Sequence, residues 1–113
     1  KIPNVIFLTN VKATIKPINS SKIIIKSNYG KYFIDNNDTI FSKNVIITFL
    51  DNKIEGEYLD FSILRNSMTL SRNVVYSSLS NVMKADVIEI NLETKKAKVF
   101  MFEDKKKVNI KNF

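Results

Sequence analysis

The sequence predicts an all-β domain of stacked antiparallel strands, and three observations predict it. Residues 40–63 recur without a gap as residues 69–92, an offset of 29 positions. Apolar and polar side chains alternate at period 2 through most of the chain, the spacing of a strand with one buried face. Clusters of Asn, Asp, Ser and Gly interrupt these runs every ~8–12 residues, as in sandwiches, barrels and solenoids. Helical periodicity is convincing nowhere.

The repeat keeps Ser42/Ser71, Asn44/Asn73, Val45/Val74, Leu50/Leu79 and Asn52/Asn81 identical. It also pairs Ile54 with Met83, Gly56 with Ala85, Glu57 with Asp86 and Ile63 with Leu92. Such a period marks one supersecondary unit that cannot bury its own apolar face, so that neighbouring copies share a core. Ile25, Tyr29 and Ile34 fall on Ile54, Tyr58 and Ile63 at the same offset. Asn10-Val11, however, precedes Asn44-Val45 by 34 positions, which places about five extra residues around Pro17. Residues 98–102 begin an incomplete fourth copy.

Taken in order, residues 2–11 and 23–25 read as β-prone runs and residues 35–38 as the clearest turn. Residues 45–49 give the strongest strand signal. Residues 51–53 turn into a long strand over 54–63, and residues 64–67 form a polar connection. The second copy follows with 74–76, a turn at Ser80-Asn81 and a strand over 83–92, after which 93–96 turn the chain into 97–102 and 108–110 offers a last strand. Within each copy the apolar parity switches once: Ile54, Gly56 and Tyr58 give way to Leu59, Phe61 and Ile63, and Met83, Ala85 and Val87 to Ile88, Ile90 and Leu92. A period-2 strand does this through a bulge or corner, or by being covered on both sides; a strand bent from one sheet to a facing one accounts for both copies. Asn44 and Asn73 read as residues tolerating a left-handed backbone there.

Composition narrows the function. The 113 residues make one domain, with no Cys for a disulfide or thiolate site and no His for a general base or metal ligand. Two glycines cannot build a phosphate-binding loop. The carboxylate pairs Asp60/Glu89 and Glu57/Asp86 hold equivalent repeat positions, but each sits where a solvent-facing strand residue belongs. No catalytic residue, metal or cofactor is therefore expected. The net charge of +7 is divided as +5 over residues 1–35, −3 over 36–94 and +5 over 95–113. The repeats are thus slightly acidic, which argues against a nucleic-acid groove. The 105–107 lysine run reads as a solvated tail.

The pattern apolar-x-x-Asn-Val-apolar in Phe41-Ser-Lys-Asn-Val-Ile and Leu70-Ser-Arg-Asn-Val-Val, with Lys84-Ala-Asp-Val-Ile-Glu-Ile-Asn-Leu, resembles the OstA-like domains of the lipopolysaccharide-export periplasmic proteins. Leu8-Thr-Asn-Val-Lys-Ala, Ser27-Asn-Tyr-Gly-Lys-Tyr and the Lys-rich ending look most like the LptC type. Lys43 and Arg72 stand where that family usually has Gly. The resemblance implies an open V-shaped β-jellyroll over residues 1–113 that holds lipid A acyl chains between the inner-membrane transporter and an LptA-type bridge protein. It further implies a periplasmic location and an N-terminal membrane helix preceding Lys1. The inward, lipid-binding set expected from parity is Val45, Ile47, Leu59, Phe61, Ile63, Val74, Tyr76, Ile88, Ile90 and Leu92. The partner-facing strand is expected at the C-terminal edge, with Lys98, Phe100 and Phe102. A closed structural β-repeat module without ligand is the alternative, and a nucleic-acid-binding β-barrel a weaker one. A far-ultraviolet circular dichroism spectrum should be dominated by strand; a helical spectrum would contradict all three.

Overall fold

A computed structural model describes residues 4–16, 21–94, 96–101 and 106–112. They form one sheet of eight antiparallel strands, each paired with its sequence neighbours: β1 Val5–Ile15, β2 Ile23–Phe33, β3 Asp38–Phe49, β4 Asn52–Ser62, β5 Ser67–Ser77, β6 Val82–Asn91, β7 Lys96–Met101 and β8 Lys106–Asn112. The 29-residue repeat is a hairpin, β3 with β4 and then β5 with β6. β1 with β2 is the earlier copy. Phe49 pairs with Asn52 across a two-residue loop, whereas Ile15 pairs with Ile23 across seven, which accounts for the longer offset upstream.

The facing sheets expected from the parity switch are two halves of this one sheet. Lys43 and Asn44 in β3 and Arg72 and Asn73 in β5 all have left-handed backbones, with φ between 54° and 70°. At each pair the register slips, two residues on the odd-numbered strand opposing one on its neighbour. Asn10 of β1, the matching position, has φ 50°. These left-handed positions lie in line across the sheet and turn the inner face at mid-strand, through bulges in β3 and β5 and without a register slip in β1, as bulges do at barrel corners. One half carries Ile23, Ile25, Val45, Ile47, Ile54 and Val74; the other carries Phe41, Leu59, Phe61, Met68, Leu70, Ile88, Ile90, Ala97 and Val99. All are buried in one cluster. No helix or second sheet is present among the described residues, so each half is covered by the other.

The corner is tight. A Cβ on Gly56 would lie 2.8 Å from Leu70 Cγ, so glycine lets β5 pack across the bend of β4. At the far ends of the hairpins, four-residue loops close with left-handed Asn37 and Asn66. Their backbone is held by side chains: Asn36 Oδ1 accepts from Asp38 N–H at 3.0 Å, and Ser62 Oγ from Arg65 N–H at 3.3 Å. Asn91 Oδ1 accepts from both Glu93 and Thr94 N–H at 2.9 Å.

A left-handed backbone costs a side-chain-bearing residue about 1 kcal/mol. Lys43→Gly should therefore raise unfolding stability by up to about 1 kcal/mol. Arg72→Gly should gain less, because its guanidinium lies 5.2 Å from the centre of the Tyr58 ring and that contact stabilises by about 0.5–1 kcal/mol. Urea denaturation of the two variants reads the difference, and equal gains would show that the Arg72–Tyr58 contact contributes nothing.

Candidate functional site

The interior is the natural place to look for a ligand. Of the ten residues expected to face inward, Val45, Ile47, Leu59, Phe61, Val74, Ile88, Ile90 and Leu92 are buried in the shared core, and Tyr76 packs against it half-buried. Leu92 lies beyond β6, in the following loop, and is drawn in there as its N–H donates to Asn66 O at 2.7 Å. Ile63 is a correction. It falls one residue past the end of β4 and is 52% exposed, because the chain has already left the strand and Ser62 takes the last buried position. Core residues that parity reasoning did not select include Ile23, Ile25, Phe41, Ile54, Met68 and Leu70; Ile25, Phe41, Ile54 and Leu70 occupy repeat positions matching one another or the selected set, which was the available signal.

Between β2 and β7 the centre of this interior is closed. Ile23, Ile25, Val45, Ile47, Ile54, Leu59, Met68, Leu70 and Ile88 expose no surface at all, so no void as large as a water molecule touches them. Tyr76, Met83 and Ala85, where β5 and β6 run past β7, are only partly buried, and the most open side is β1. Its inward residues are Ile6 and Leu8 before the corner and Val11, Ala13 and Ile15 after it, opposite Tyr32, Gly30, Ser27, Ile25 and Ile23. Val11, Ala13 and Ile15 are only partly buried, while Ile6 and Leu8 are 44% and 37% exposed. Gly30 makes room here, since a Cβ on it would come within 3.2 Å of Val11 Cγ2 and 3.6 Å of Leu8 Cβ. On the outer face Phe7 is 72% exposed, with Lys31 Nζ 5.8 Å from its ring centre. The inner surface of the stack is thus accessible along one lateral edge.

The expected partner edge is also corrected. β7 is not an edge: Lys98 pairs with Glu89 on one side and Ile110 on the other, and Phe100 pairs with Val87 and Lys107. The terminal strand is β8, and Phe102 lies outside the described residues. Residues 108–110, read as a last strand, are the middle of β8; the Lys-rich composition hid its length, and alternation does not reveal which strand lies at the edge. Lys98 instead lines a shallow outer depression of about 220 Å³ with Glu89, Lys96, Ser67 and Thr94.

The paired carboxylates do not converge. Asp60 and Glu89 both pair with Thr69, one on each side, which puts them two strands, about 9–10 Å, apart. No cluster of three metal-ligating side chains occurs among the described residues, and none of their helices is long and apolar enough to cross a membrane. Since β1 and β8 are not paired, the sheet is not a closed barrel. Tyr76 Oη donates to Asn52 Oδ1 at 2.9 Å across the β3–β4 end, and burial pushes its phenol above the usual value. Compared with known proteins, the chain matches no family model and no curated sequence.

Two predictions test this packing. Leu59→Ala should cost about 2–5 kcal/mol, whereas Ile63→Ala should stay within about 0.5 kcal/mol; similar losses at both would put Ile63 in the core after all. A phenol whose folded value is raised stabilises the fold below its ordinary pKa of 10.0 and loses that contribution as pH rises through the folded value. Tyr76→Phe should therefore flatten the loss of stability in alkaline solution while costing about 1 kcal/mol at neutral pH through the lost hydrogen bond. Parallel pH–stability curves for the two proteins would contradict this.

Proposed function

We propose that the chain is a non-catalytic lipid-binding module of the OstA-like, LptC-like kind. In this reading it receives acyl chains of lipopolysaccharide from an inner-membrane transporter and passes them to a periplasmic bridge protein. The observation that carries the reading is the inner side of β1: an apolar surface continuous with the core, left accessible along one edge of a sheet folded on itself. Each methylene buried against such a surface contributes about 0.8 kcal/mol. The acyl chain enters at Ile6, Leu8, Val11 and Ile15, and moves deeper only if the two halves part. The bridge protein, placed by the resemblance at the C-terminal end, would pair with β8.

The sealed packing from β2 to β7 favours a second reading, a closed structural module with no ligand. An apolar fluorescent probe, N-phenylnaphthylamine, separates the two. The lipid reading expects the probe to brighten on binding and to be displaced by lipid A. Leu8→Asp should abolish binding while leaving the unfolding midpoint nearly unchanged, because that side chain is already 37% exposed. Phe61→Asp, in contrast, should unfold the domain by placing an unpaired charge in the sealed core. A folded protein that neither brightens the probe nor binds lipid A would leave the structural module as the function.

A further inference from the structure

The two free edges of the sheet differ in chemistry. β8 carries three lysines in seven residues, Lys106, Lys107 and Lys111, and Lys111 pairs with buried Ala97, at a register position on the inner face. Charges of this kind deter strand addition. β1 carries one lysine in eleven residues, Lys12, and exposes Ile6, Phe7 and Leu8 on both faces beside a row of unpaired backbone groups. By the rules that govern edges, β1 is the unprotected one.

We propose that β1 pairs antiparallel with β1 of a second copy, making one continuous sheet across a two-fold axis. The corner at Asn10 dictates the register. Inward residues have even numbers before it, Ile6 and Leu8, and odd numbers after it, Val11, Ala13 and Ile15. Only a pairing that sets even positions of one copy against odd positions of the other keeps both inner faces on one side. With the axis between Asn10 and Val11, Ile6 meets the second copy's Ile15 and Leu8 meets its Ala13. On the outer face Phe7 meets Thr14, and Thr9 meets Lys12. The inward pairs on either side of the corner are then apolar, Val11 meets Asn10 at the corner itself, no lysine opposes a lysine, and both strands bend at the same place.

The rival arrangement, β1 against β8 of another copy, would form an open head-to-tail filament. It sets Lys12 of β1 against the lysine-rich β8, and the inner-face register position of Lys111 beside the inward residues of β1. The two-fold pairing avoids both. It also extends the core laterally over the exposed inner side of β1. The inference concerns the edge alone and holds whether or not the interior takes lipid.

The chain contains no cysteine, so disulfide trapping is clean. In the proposed register Leu8 and the second copy's Ala13 are directly opposite, about 5 Å apart at Cα, within reach of a disulfide. Leu8 and its own counterpart are five residues out of register, roughly 17 Å apart. Mixing Leu8→Cys with Ala13→Cys under mild oxidation should give a covalent dimer, and either variant alone should give little. Light scattering on the unaltered chain should show a mass rising from 13.0 kDa toward twice that value. An edge pairing of this kind buries less than about 1,200 Å², so the rise belongs at high micromolar to millimolar concentration. A monomer throughout that range, growth beyond a dimer, or equal trapping in the single-cysteine controls would each overturn the proposal. Circular dichroism on each variant confirms that the fold is retained before the result is read.

Discussion

The whole architecture depends on one backbone constraint: a sheet with no partner layer must supply both walls of its own core. A straight eight-stranded antiparallel sheet would leave one apolar face in water. Bending each strand at mid-length lets its two halves cover each other. The bend is placed by left-handed residues that lie in line across the sheet, at Asn10 in β1, Lys43-Asn44 in β3 and Arg72-Asn73 in β5. Asn bears this conformation better than most residues, because its short side chain bonds locally. Lys and Arg have no such advantage, and two consecutive left-handed residues persist only because the surrounding pairing over-determines them. Gly56 and Ala85, small residues at matching repeat positions, keep the inside of the bend clear.

How much of this was legible follows from how a bulge affects parity. In β4 and β6 the inner positions change parity at the corner, even to odd from Gly56 to Leu59 and odd to even from Ala85 to Ile88, so the alternation itself announces the bend. In β3 and β5 the extra residue cancels the change. Phe41 and Val45 share a parity, as do Leu70 and Val74, and period 2 runs through unbroken. Only the Asn-Val dipeptide marks the place. The same reasoning explains the misplacement of Ile63: parity extrapolates past the end of a strand, whereas the chain stops alternating at Ser62 and turns. Its repeat partner Leu92 is buried by contact between neighbouring loops, a tertiary effect that no local pattern encodes.

The candidate site was legible in part, and the limit is again physical. Alternation identifies which side chains point inward, and eight of ten expected positions are buried. It does not distinguish a wall that waits for a ligand from one that touches the opposite wall, since both require the same apolar residues. Nor does it order strands within a sheet: residues 108–110 read as a last strand, but β8, with three lysines in seven residues, carries little β-propensity signal, and the expected partner edge falls one strand too early.

That distinction decides what an acyl chain could gain. Inserting a methylene into a closed core does not remove apolar surface from water in net terms, because the walls it separates were already dry and the contacts between them are lost. The transfer contribution of about 0.8 kcal/mol per methylene is recovered in full only on surface that water already reaches. Here that surface is chiefly the inner side of β1, with a smaller stretch at Tyr76, Met83 and Ala85 where β5 and β6 run past β7. The first contacts of any lipid therefore favour the β1 edge, where Ile6 and Leu8 are exposed. Deeper passage requires the ligand to replace wall-to-wall contacts one for one, a near-neutral exchange. Such an exchange suits a conduit, which must release what it binds, but only the exposed edge can make the initial capture favourable. The same edge is the one without lysine protection, so capture and the proposed pairing of two β1 strands compete for a single row of residues, Ile6, Leu8, Val11, Ala13 and Ile15.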